Sequence, residues 1–121
     1  MVPPIFKVCA ADPAVTALLG AGPVRLFPFG EVPQGTTYPY ATWQLITGTP
    51  EQYLADRPDV DDFTLQVDVY AGTGSDARAV TRSLRDAIEP HAYITRWGGE
   101  ERDPETKAYC RSFDIDWIIP R

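Results

Sequence analysis

Histidine is almost missing from this 121-residue chain: His91 stands alone, and cysteine occurs only twice, as Cys9 and Cys110. Catalytic triads and dyads that take a proton through imidazole have one possible member here and no GxSxG-type motif beside it. His91 follows Pro90 at a helix end, where an imidazole can cap carbonyls. The cysteines lie near opposite ends with no CxxC spacing and no histidine nearby, which excludes the usual zinc frameworks. The N-terminal stretch lacks a charged region followed by a sustained apolar run, so it does not read as a secretory leader, and two reduced thiols in a cytosolic protein are expected. No apolar run approaches the ~18 residues of a membrane span. Basic residues are also scarce, 11 against 17 acidic, for a net charge of −6. That balance argues against a protein whose main task is to grip phosphate backbones. Gly72-Thr73-Gly74 is not followed by the residues of a phosphate loop.

Proline, by contrast, is abundant, with 12 residues and no low-complexity tract. Many of these prolines punctuate short elements: Pro13, Pro28, Pro39, Pro90 and Pro104 each mark a boundary. With 44% hydrophobic and 23% charged residues the composition is globular, and residues 1–121 read as one domain.

Pattern along the chain predicts a helix in two pieces. Pro4 to Ala10 is followed by an Asp12 N-cap, Pro13 at the first helical position, a stripe of Val15, Leu18 and Leu19, and a stop at Gly20. Val24–Phe27 reads as a short strand stopped by Pro28, and Tyr40–Ile46 as a strand burying Ala41, Trp43 and Leu45. From Thr47 to Asp62 the alternation is lost and a long loop is expected. Phe63–Tyr70 alternates strictly, with Phe63, Leu65, Val67 and Val69 on one face and Thr64, Gln66, Asp68 and Tyr70 on the other. A helix capped by Ser75 carries Ala77, Val80, Leu84, Ala87 and Ile88 on its buried face. Ala92–Trp97 is a strand leading into a polar hairpin over Gly98–Glu105. Tyr109–Ile119 returns with Tyr109, Arg111, Phe113, Ile115 and Trp117 on one face. Asp114 and Asp116 lie on the other, which must be wet or shared with another subunit. The expected fold is α+β, a mostly antiparallel sheet of about five strands with two helices, in the order α-β-β-β-α-β-β.

Candidate site residues fall into three groups. The loop holds the acidic run Asp56, Asp59, Asp61 and Asp62 with Tyr53 and Arg57. It could offer hard oxygen ligands to a divalent ion, but it lacks the glycine and terminal glutamate of an EF-hand, and a solvated acidic loop is the simpler reading. The second helix shows Arg78, Arg82 and Arg85 as a stripe, suited to a solvated or intersubunit face. The last hairpin brings Trp97, Glu100, Glu101 and Arg102. Arginine together with exposed aromatics is what protein interfaces concentrate. These signals favour an interaction module over an enzyme, with no cofactor and no metal required. A non-catalytic regulatory domain with an acidic partner- or metal-binding loop, and a small enzyme using carboxylates alone, are the competing readings.

Several stretches, in order, resemble the tail completion proteins of long-tailed bacteriophages, also called tail terminators or tail-to-head joining proteins. They are Pro4-Ile5-Phe6, Val15 to Gly20, Phe27 to Gly35, Tyr38 to Gln44 and Gly48 to Glu51. Phe63 to Tyr70, Leu84 to Ala87, Asp103 to Thr106 and Tyr109 to Trp117 continue the series. The resemblance implies a small α+β structural virion protein, assembled in the host bacterial cytoplasm and residing in the virion tail. It implies a ring, usually a hexamer, that caps the head-proximal end of the tail tube, ends polymerisation and presents a docking surface to the head–tail connector protein. Its partners would be further copies of itself, the tail tube protein and the connector. DNA would pass through the lumen without specific binding, and no membrane is involved. Six copies at −6 each place about −36 around such a ring, which repels DNA rather than holding it.

Overall fold

A computed structural model of the chain describes residues 2–51 and 60–120. Its elements are α1 (Ile5–Ala10), α2 (Pro13–Leu19), β1 (Leu26–Pro28), β2 (Tyr40–Glu51), β3 (Val60–Ala71), α3 (Gly74–Ile88), β4 (Tyr93–Arg102) and β5 (Tyr109–Pro120). The strands form one five-stranded sheet in the order β1-β2-β3-β5-β4. β1 runs parallel to β2, and every other neighbouring pair is antiparallel. The α+β class and the element order are those expected. β3 and β4 run the same way with β5 between them, and α3 makes the crossover.

The helices form as their sequences dictate. Asp12 accepts a hydrogen bond from the Ala14 N–H at 2.9 Å, Pro13 opens α2, and Gly20 closes it at φ 85°. At that turn Arg25 donates to the carbonyls of Leu18 at 3.1 Å and Pro39 at 2.9 Å, tying the end of α2 to the start of β2. α3 begins earlier than expected. Thr73, extended at φ −136°, caps it by accepting from the Asp76 N–H at 3.1 Å, whereas Ser75 already lies inside the first turn.

All three helices lie on one face of the sheet. Ile5 and Cys9 of α1, Val15 and Leu19 of α2, and Val80, Leu84 and Ile88 of α3 are buried against Leu65, Val67, Val69, Phe113, Ile115 and Trp117. These strand residues belong to the inward set that the alternation of β3 and β5 predicts, whose other members, Phe63, Tyr109 and Arg111, are half-buried. Phe113 is the largest wholly buried side chain. Its ring is worth about 3 kcal/mol of transfer free energy relative to exposure.

Two expected loops are corrected. The predicted break from Thr47 to Asp62 does not hold, because β2 and β3 stay paired out to Glu51 opposite Val60. Gly48 and Pro50 disrupt the hydrophobic alternation but not the backbone ladder. Beyond Trp43, β2 has no partner on its β1 side among the described residues, and an edge strand tolerates proline. The register shifts between Leu45 and Thr47, and Leu45, expected to be buried, is 44% exposed because the helices do not reach it.

The second correction concerns the polar hairpin expected over Gly98–Glu105. β4 continues to Arg102, and the turn follows it. In that turn Asp103 accepts from the N–H groups of Glu105 at 2.8 Å and Thr106 at 3.3 Å. Gly98 and Gly99 sit instead at a bulge, where the register shifts between Trp97 and Glu100. A Cβ on Gly98 would lie 2.7 Å from the Ser112 carbonyl oxygen. The glycine therefore marks a close backbone approach rather than a reversal.

Candidate functional site

The helical layer leaves part of the sheet beside its edge strand uncovered. A groove of about 330 Å³ lies there between α3 and β4–β5, lined by Arg78, Thr81, Arg82, Arg85, Trp97 and Arg111. The spacing of α3 decides its basic wall. With Ala77, Val80, Leu84 and Ala87 turned to the core, the arginines at 78, 82 and 85 must share the flank that looks toward β4. Trp97 forms the apolar floor, 44% exposed, packed on Phe113 with ring centroids 5.3 Å apart.

Arg111 enters the same groove. It occupies the inward phase of β5, and its guanidinium stacks over the Trp97 ring at 5.3 Å. Its Nε is buried without a hydrogen-bond partner. Reading the sequence for interface residues misses it, although a charged residue in the apolar phase of a strand is the available signal.

Glu100 lies between two of these cations. Arg78 Nε donates to Glu100 Oε1 at 2.6 Å and Arg78 Nη2 to Oε2 at 3.2 Å, while Arg111 Nη1 is 3.9 Å away. The hydrogen bonds from Arg78 hold the Glu100 carboxyl below its ordinary pKa and raise that of Arg78. Arg85 is engaged by Asp86 at 2.9 Å and Glu89 at 3.5 Å. Arg82 makes no ion pair among the described residues.

The remaining expected site residues separate. Arg102 stacks on Tyr109 at 5.0 Å from the ring centroid, and Glu101 pairs in register with Cys110, on the opposite face of the sheet from Glu100. Asp61 and Asp62 belong to β3 rather than to a loop, opposite Ile119 and Ile118 of β5. Tyr53, Asp56, Arg57 and Asp59 lie outside the described residues.

The sheet face away from the helices is polar and carries the expected carboxylates. Arg96 of β4 binds Asp114 of β5 through two hydrogen bonds, 2.8 and 3.1 Å, and Gln66 donates to Asp68 at 3.1 Å. At one end Tyr40 stacks between Tyr38 and Tyr70, with centroids 5.7 and 5.1 Å away. Burial in this stack, with Asp68 nearby, pushes the Tyr70 hydroxyl up to about 12. His91 stacks on Trp117 at 6.4 Å. Both cysteines are free thiols. Among the described residues no group of three or more histidine, cysteine, aspartate or glutamate side chains is arranged to hold a metal ion. No described helix is long and apolar enough to cross a membrane.

Among curated proteins, no sequence matches the chain. Among solved structures, a chain from the virion of a native gene transfer agent particle matches with a TM-score of 0.64 at 16% identity, covering 97% of this chain and 92% of that one. At that identity the likeness is one of fold. Residues 3–120 match the family model of tail completion protein gp17. The match runs through every element from α1 to β5, and the chain therefore belongs to the tail completion protein gp17 family, structural proteins of the bacteriophage tail.

Proposed function

We propose that the chain forms a ring that closes the head-proximal end of the tail tube, ends its polymerisation and receives the head–tail connector. The family match over residues 3–120 carries this reading. A ring needs a head-to-tail contact between two different surfaces of one subunit. The α3 arginines are the basic partner of such a contact, and the acidic candidates on the neighbouring subunit are the sequence run from Asp56 to Asp62 and Glu101 beside Arg102 of β4, Glu100 being held by Arg78 within the groove itself. The ring is a hexamer. Its net negative charge keeps passing DNA from adhering to the lumen.

Deleting the chain from its phage or prophage tests the proposal by electron microscopy of the lysate. The expected result is filled heads separated from tails of uncontrolled length, restored by supplying the chain in trans. Joined particles with tails of normal length in the deletion strain would refute it.

A further inference from the structure

We propose that the arginine groove between α3 and β4 is the socket for the acidic β4–β5 turn of a second copy of this chain. The inference rests on the ring reading above and assigns the surfaces that the ring would use.

Charge decides what the groove accepts. Glu100 is already shared by Arg78 and Arg111, and Arg85 is held by Asp86 and Glu89. What remains is Arg82, exposed and without an ion pair among the described residues, while the Arg111 Nε lies buried beneath the groove surface. That is room for one carboxylate, whereas a nucleic-acid backbone would bring a row of phosphates to cations that are mostly neutralised. The Trp97 floor adds an apolar surface on which the stem of a glutamate can lie, and arginine beside a half-exposed tryptophan is the composition of a protein-binding hot spot.

The same chain presents the complementary group. Glu101 and Glu105 form no ion pair among the described residues, and Glu105 is exposed on a turn held in shape by the Asp103 carboxylate. A copy cannot fill its own groove with this turn. From Trp97 to the end of β4 at Arg102 the strand advances roughly 15 Å, beyond the reach of a glutamate side chain folding back. A second copy can supply it. Because groove and turn are different surfaces, the contact is head-to-tail, and in a closed ring each copy has its socket filled by one neighbour and its turn seated in the other.

The test places a photo-crosslinking amino acid at position 82, and separately at position 105, in chains incorporated into particles. Position 82 is expected to yield an adduct of twice the chain mass, mapping to the turn after β4. Position 105 is expected to map to α3 of a second copy. Adducts to a different particle protein, or no self-adduct in joined particles, would overturn the inference. Charge exchange gives an independent reading. Arg82→Glu and Glu105→Arg should each lose joined particles while the isolated chains keep their circular dichroism, and the two combined in one chain should recover them. A combined variant no better than either single one also overturns the inference. Labelling of an epitope-tagged chain separates the two levels. A chain at the head-proximal tail end without the self-adduct defeats only this assignment, and a chain absent from particles defeats the ring reading with it.

Discussion

Arg78 and Glu100 are 22 residues apart in sequence, yet the guanidinium of one and the carboxylate of the other meet at 2.6 Å, joining the exposed flank of α3 to the edge strand. The pair closes one end of the arginine groove and places a carboxylate within 3.9 Å of Arg111 as well. Both side chains are well exposed to solvent, so the bond steers geometry more than it stabilises the fold. Among the described residues it leaves Arg82 as the guanidinium in the groove that is free to meet an incoming carboxylate.

Glu100→Gln should make stability depend less on pH. A carboxyl whose folded pKa lies below its ordinary value of 4.5 stabilises the fold above that value, and the contribution fades as pH falls through the folded pKa. The variant is expected to be slightly less stable than the parent at neutral pH and equal to it in acid. Urea unfolding across that range, at low and high salt, measures the gap, which salt should also narrow.

Neighbouring glycines should respond differently to alanine. Gly98→Ala drives a methyl group toward the Ser112 carbonyl oxygen, 2.7 Å from the new Cβ, and is expected to cost about 1–3 kcal/mol. Gly99→Ala meets nothing within 4 Å and should stay close to the parent. Chemical denaturation of the two variants compares them directly, and equal losses would show that the bulge is not held by that close approach.

The two thiols should label in sequence. Burial, with Asp12 adding to it, pushes the buried Cys9 thiol up to about 12, and partial burial also raises that of Cys110, which is only half-buried. An alkylating reagent at neutral pH is expected to modify Cys110 slowly and to reach Cys9 only on unfolding, because the thiolate is the reacting form. Mass spectrometry of peptides from native and denatured protein reads this order.

Much of the fold is legible in local pattern. Val67 and Val69 against Gln66 and Asp68 define the inward face of β3, and the Asp12-Pro13 start and Gly20 stop delimit α2, because caps and periodicity are written in neighbouring residues. The far reach of β2 is not legible: Gly48 and Pro50 carry turn signals, and only pairing with β3 shows that the ladder continues to Glu51. Gly98-Gly99 misleads for a similar reason. A glycine pair reads as a reversal until the carbonyl of Ser112 is seen beside it.

The candidate site divides the same way. Helical spacing alone puts Arg78, Arg82 and Arg85 on one flank, and composition alone makes the chain acidic, since both follow from covalent order and the 3.6-residue turn. Their meeting with Trp97 and Arg111, and the capture of Arg78 by Glu100, depend on β5 inserting between β3 and β4 beneath α3. Strand order is settled by which faces can be buried together across the whole chain. No local stretch of sequence contains that information.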